Sequence, residues 1–186
     1  MPLVPKEEKI MTQKKRTLNE HLEQIDQNSR VTPEQITKLA KRFRKIFREL
    51  GYVNSSKDPE TLEKYVRMLF KCQDYRCTHW VQTEEGELNG VWNRPMGGHI
   101  GWRTDLVWYE IDHVHPKNAG GTDSLSNYQF LSANANQFTK CSLTYDDLLR
   151  RVDLSDRLKS RIKEVLTNRR RLFESAEWKI FMKGLS

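Results

Sequence analysis

The segment 32–51 constrains the chain most. Thr32 can cap a helix, Pro33 suits the first helical position, and Gln35 completes a capping box. Ile36, Leu39, Ala40, Phe43, Ile46, Phe47 and Leu50 then recur at helical spacing before Gly51 stops the run. Lys38, Lys41, Arg42, Lys45 and Arg48 crowd the opposite face. A helix patterned this way needs a core to cover its apolar side. Asp58-Pro59-Glu60 starts a second helix in the same manner, with Leu62, Tyr65, Val66, Leu69 and Phe70 as its buried stripe.

The rest of the chain must supply that core. Its 186 residues support one domain, or one core with helical arms. Seven Phe, six Tyr and five Trp give it apolar bulk despite a 31% charged content. Residues 1–31 are polar and weakly patterned, so a loose start is expected. Residues 72–105 carry Gly-rich turns and irregularly spaced aromatics, which read as short antiparallel strands. Residues 106–112 and 128–131 are strand candidates, with a loop holding Pro116 and Gly120-Gly121 between them and a short helix expected over 132–140. The C-terminal third is helical: Thr144 with Asp147, then Ser155, then Ser175 precede apolar residues at helical spacing.

Charge is unevenly spread. Residues 1–60 hold 13 Lys and Arg against 9 Asp and Glu, residues 61–149 hold 8 against 11, and residues 150–186 hold 11 against 5. Two basic flanks suit a polyanion, and an acidic centre suits a cation. No apolar run approaches the ~20 residues of a membrane span. The first residues lack the apolar stretch of a signal peptide, so an intracellular protein is expected, in a bacterial cell or a phage-infected host. Three cysteines do not make a disulfide framework.

The segment Glu110-Ile111-Asp112-His113-Val114-His115-Pro116-Lys117-Asn118-Ala119-Gly120-Gly121 concentrates chemistry. Ser126-Asn127-Tyr128-Gln129-Phe130-Leu131 and Asn134-Ala135-Asn136 follow it. Asp112, His113, Pro116, Gly120, Gly121, Asn127 and Asn136, with 14 residues from His113 to Asn127 and 9 from Asn127 to Asn136, resemble the HNH, or ββα-metal, endonuclease family in its form that ends in Asn. The resemblance covers only the region near 106–141. It implies an α+β fold: a ββα-metal core with flanking α-helices on both sides. The expected organisation is a loose segment 1–31, a helical basic arm 32–71, a nuclease core 72–143 and a basic helical region 144–186.

Phosphodiester hydrolysis needs a nucleophile, charge stabilisation at phosphorus and help for the leaving oxygen; a hard divalent cation can supply the last two. Asp112 offers a charged oxygen and Asn136 a carbonyl oxygen, which suit Mg2+ or Mn2+ rather than zinc. A histidine ring titrates near neutrality and can accept a proton from water. The resemblance implies that His113 is the general base, that Asp112 and Asn136 hold one metal ion, and that Asn127 stitches the loop and orients His113. Asn134 competes with Asn136. Glu110 shares the face of Asp112, either tuning the metal or facing solvent. His113 should point away from Asp112 on a strand, unless backbone turning at the strand end brings both to one site.

HNH nucleases often carry a zinc on four cysteines. Here Cys72 and Cys77 occupy the place of a first pair, but Ser132 and Ala135 stand where the second pair would fall. A mixed zinc site of Cys72, Cys77, His79 and Cys141 has acceptable ligands at an unusual spacing; the cysteines read instead as small buried residues. His115, Lys117, Lys140, Arg42, Arg44, Arg169, Arg170 and Arg171 are candidates for contacts to double-stranded DNA, with Arg94 and Arg103 as further possibilities for base readout. The expected function is a site-specific endonuclease of the homing or phage type, monomer or homodimer, leaving 5′-phosphate and 3′-hydroxyl ends. A type II restriction enzyme, a non-catalytic DNA-binding protein on the same scaffold, and a non-specific toxin nuclease are the alternatives.

Overall fold

The computed structural model describes residues 31–73, 109–132, 136, 140, 142–152 and 156–186. The expected loose start, the strands and turns within 74–108 (with Arg94 and Arg103), and most of the helix over 132–140 lie outside the described residues. The described elements are α1 (Pro33–Glu49), α2 (Pro59–Cys72), β1 (Tyr109–His113), β2 (Tyr128–Ser132), α3 (Tyr145–Arg150), α4 (Asp156–Glu174) and α5 (Ala176–Lys183). Among the described residues the fold is mixed: helices around a two-stranded antiparallel sheet. No helix among these residues is long and apolar enough to cross a membrane.

The helix starts follow their caps. Thr32 Oγ1 accepts from Gln35 N while Gln35 Oε1 accepts from Thr32 N, Asp58 accepts from the amides of Glu60 and Thr61, and Thr144 exchanges the same pair of bonds with Asp147. Ser175 Oγ accepts from Trp178 N. Each satisfies amides that the first turn of a helix leaves unpaired.

The flanking helices share buried packing with the hairpin. Phe43 and Phe47 of α1, Tyr65, Leu69 and Phe70 of α2, Tyr128 and Phe130 of β2, Leu172 of α4 and Trp178 and Phe181 of α5 belong to one buried cluster. Phe70 stacks on Phe130 at 4.2 Å, and Phe43 meets Tyr65 edge-on at 4.9 Å. The expected boundary between a helical arm and a nuclease core is thus crossed by shared aromatic packing. A two-stranded hairpin is marginal alone, and α1 and α2 supply the surface it needs.

α4 closes the other side. Leu131, Tyr145, Leu148 and Ile162 form a second cluster beneath the opposite face of the hairpin. Arg161 donates to Gln73 O at 2.8 Å and Asn168 to Cys72 O at 3.4 Å, so α4 provides donors for carbonyls that the end of α2 leaves unpaired. The Gln73 side chain in turn works as a short strand. Its Nε2 donates to Phe130 O at 2.7 Å and its Oε1 accepts from Phe130 N at 3.0 Å, all of it buried.

Candidate active site at the end of the hairpin

β1 and β2 pair so that Asp112 stands opposite Gln129 and His113 opposite Tyr128. Alternation sends successive side chains to opposite faces. Tyr109, Ile111, Tyr128 and Phe130 pack with α1 and α2, while Leu131 packs with α3 and α4. Asp112 and Gln129 belong with Leu131; His113 belongs with Tyr128. β1 runs through His113, so Asp112 and His113 stand back to back across the sheet and are not gathered on one face.

The loop between the strands is tightly built. Gly120 has φ +92°, a left-handed conformation that disfavours a side chain. A Cβ on Gly121 would stand 1.9 Å from the carbonyl oxygen of His115, against backbone that cannot yield. Asn127 closes the loop: its Oδ1 accepts from His115 N at 2.8 Å, and its Nδ2 donates to His115 O at 3.0 Å and Thr122 O at 2.9 Å. This is the stitching expected of Asn127. The expected hold on His113 belongs to other residues.

The His113 ring is held by Asp123 and Tyr128. Nε2 lies 2.8 Å from Asp123 Oδ1, and the ring leans on Tyr128 at 4.8 Å between centroids. Asp123 also accepts from Lys117 Nζ at 2.6 Å and Tyr128 OH at 3.0 Å. The Lys117 ammonium, then the His113 contact, draw the Asp123 carboxyl down to about 2. Burial, followed by the Asp123 charge, pushes the Tyr128 phenol up, so Tyr128 stays a donor.

The Asp112 face is organised around a buried cation. Lys140 is fully buried; its Nζ lies 2.9 Å from Asp112 Oδ2 and donates to His113 O at 2.7 Å. Gln129 Nε2 donates to the same Asp112 oxygen at 2.9 Å, and Gln129 is itself held by Tyr145 OH. Asn136 joins this face through Glu110: Asn136 Nδ2 donates to Glu110 Oε2 at 2.7 Å. With its nitrogen engaged, the Asn136 amide presents Oδ1 as its acceptor.

These donors fit a hard cation. One carboxylate oxygen of Asp112 and the amide oxygen of Asn136 are the kind of ligand that Mg2+ takes in ones and twos while keeping its waters. Among the described residues no group of three or more His, Cys, Asp or Glu is arranged as a metal cage. Of the mixed zinc set, only Cys72 lies among the described residues. Its thiol is buried and turned to Met68 O, and burial pushes it up to about 11. Cys77, His79 and Cys141 lie outside the described residues.

Two expected DNA contacts are internal. Lys140 cannot reach a phosphate from full burial; a desolvated Asp112 demands a paired cation, and Lys140 is that cation. Arg169 is 4% exposed and donates to Ser126 O at 2.6 Å while lying over the Phe173 ring. Helical phase sets it on the inner face of α4 with Ile162, Val165 and Leu172, leaving Arg170 and Arg171 outside. Its Nη1 is buried with no partner among the described residues. Of the others, Arg44 is exposed, Arg42 is exposed but donates to Tyr109 O at 3.0 Å, His115 is exposed with Nε2 2.8 Å from Ala119 O, and Lys117 is exposed and paired with Asp123.

Sequence reading missed Asp123, Gln129 and the structural use of Lys140. Gln129 carried a signal: a lone amide in the strand Tyr-Gln-Phe-Leu needs a partner once both faces are covered. Asp123 carried none beyond its place two residues after Gly121. No family model matches the chain, and neither a curated protein nor a solved structure matches it.

Proposed function

We propose that this protein is a divalent-cation-dependent endonuclease acting on double-stranded DNA, with a ββα-metal core at residues 106–141. The observation that carries the reading is the loop stitched by Asn127. It joins a strand ending in Asp112-His113, whose Glu110 accepts from Asn136, to a strand whose Gln129 donates to Asp112. In that arrangement Asp112 and Asn136 would hold one Mg2+ or Mn2+ ion, which supplies charge stabilisation at phosphorus and at the leaving oxygen. Because Asp112 and His113 lie on opposite faces at the loop end of the hairpin, the scissile phosphate would lie across that end, with the ion on one side and His113 on the other. His113 would take a proton from water there; the hydroxide oxygen forms a bond to phosphorus as the bond from phosphorus to O3′ breaks. The leaving O3′ gains a proton from solvent, giving a 5′-phosphate and a 3′-hydroxyl.

Exposed Arg44, Arg170 and Arg171, with the cationic side of α1, would hold the phosphate backbone. Site selection of the homing or phage kind, by a monomer or a homodimer, belongs to the same proposal. One observation favours a second reading. The buried Lys140 ammonium is already paired with Asp112, which leaves that carboxylate less charge to offer a cation and fits a non-catalytic DNA-binding scaffold.

Supercoiled plasmid incubated with the protein and Mg2+ separates the two. Nicked or linear product that disappears in His113→Ala, with DNA retention kept, supports the nuclease. DNA retention without cleavage in Mg2+ or Mn2+ supports the scaffold, and full cleavage by His113→Ala removes His113 as the base.

A further inference from the structure

We propose that Asp123 is a positioning residue for His113, fixing which ring nitrogen carries the proton. The inference rests on the nuclease reading above and adds a residue to it.

An ionised carboxylate only accepts hydrogen bonds. Asp123 Oδ1 lies 2.8 Å from His113 Nε2, so that nitrogen must bring the hydrogen. A neutral ring protonated at Nε2 has its lone pair at Nδ1. Among the described residues nothing hydrogen-bonds Nδ1, which leaves it for water. Asp123 therefore selects the tautomer in which Nδ1 is the base, as a carboxylate behind a histidine does wherever the far nitrogen must react.

The carboxylate is itself held. Lys117 takes its second oxygen at 2.6 Å and Tyr128 OH donates to Oδ1 at 3.0 Å. Tyr128 also packs against the His113 ring, so one residue sets both the ring and its acceptor. The loop delivers this arrangement: the left-handed Gly120 and the tightly packed Gly121 reverse the chain, and Asn127 locks Thr122 to His115. Asp123 follows directly, beside the residue it must reach.

The competing explanation is a surface ion cluster of Lys117, Asp123 and His113. Exposed ion pairs contribute little to stability. A structural role predicts small changes everywhere; a positioning role predicts a loss confined to turnover and ring state. The experiment uses Asp123→Ala and Asp123→Asn in the full chain. For Asp123→Ala, the single-turnover cleavage rate should fall on the order of 10²-fold, the size of a misplaced catalytic group. DNA affinity should stay unchanged, and the urea midpoint should fall only slightly, by what partly exposed ion pairs contribute. Asp123→Asn keeps an acceptor oxygen for Nε2–H and should recover most of that loss.

Nitrogen NMR of the histidine rings at mildly alkaline pH supplies a readout without DNA. Wild-type His113 should show a protonated Nε2 and a bare Nδ1, and Asp123→Ala should show a tautomer mixture. A mixture already present in the wild type, or full cleavage by Asp123→Ala, overturns the inference while leaving the nuclease reading intact. Absence of cleavage by the wild type overturns the nuclease reading, and the catalytic role of Asp123 with it.

Discussion

Asn127 gives a sharp test of how the loop is held. Its amide makes one bond as acceptor, to His115 N at 2.8 Å, and two as donor, to His115 O at 3.0 Å and Thr122 O at 2.9 Å. Asn127→Ala removes all three. At a net worth of about 1 kcal/mol each, reduced because His115 is exposed and water can replace part of the loss, the cost is about 2 kcal/mol. Asn127→Asp is nearly isosteric and keeps the acceptor bond, yet it sets a carboxylate oxygen against two carbonyl oxygens. It loses both donor bonds and adds two repulsions, for a cost of about 3 kcal/mol. The near-isosteric change should therefore be the worse one. Urea unfolding of the wild type and both variants at equal slope reads the order directly from the midpoints. An Asp variant as stable as the Ala variant, or more so, refutes the donor assignment of the Asn127 side chain and with it the account of the loop.

Three further outcomes follow from the same geometry. Gln73→Leu leaves the buried amide and carbonyl of Phe130 without partners, and at roughly 1–3 kcal/mol each should lower stability by about 4 kcal/mol, read by urea or thermal unfolding. The Asp123 carboxyl is drawn down to about 2 in the folded protein, below the usual carboxylate range, by the Lys117 ammonium and the His113 contact. Its contribution to stability is present above the unfolded value and is lost as pH falls from about 4 through about 2; carbon NMR titration should find that low midpoint, and Lys117→Met should raise it. Arg170→Ala and Arg171→Ala should each flatten the dependence of DNA affinity on salt by about 0.9 in the log–log slope if they contact phosphates. Arg169→Ala should instead lower the unfolding midpoint with that slope unchanged, because its guanidinium lies inside.

Much of the local structure was legible in the chain. The starts of α1, α2, α3 and α5 were written in Thr32, Asp58, Thr144 and Ser175 because a cap acts on amides two or three residues away. The hairpin was legible as two short apolar runs around a Gly-Gly turn, although β1 extends one residue further than expected, through His113. The stitching role of Asn127 was legible only through resemblance, and the structure supplies its three partners. The arginine run 169–171 misled because composition adds the charges, whereas helical phase turns one of the three inward.

What the sequence determined by itself was the set of elements and the residues with chemistry to offer, since caps, periodicity and turn residues all act within a few positions of themselves. Only the tertiary structure decided who pairs with whom. It set Asp112 and His113 on opposite faces, buried Lys140 against Asp112, brought Asp123 onto His113, and turned Gln73 into an edge for β2. The reason lies in desolvation. A charge or amide takes a particular partner only when packing removes water from around it, and which groups lose their water is decided by elements far apart in the chain.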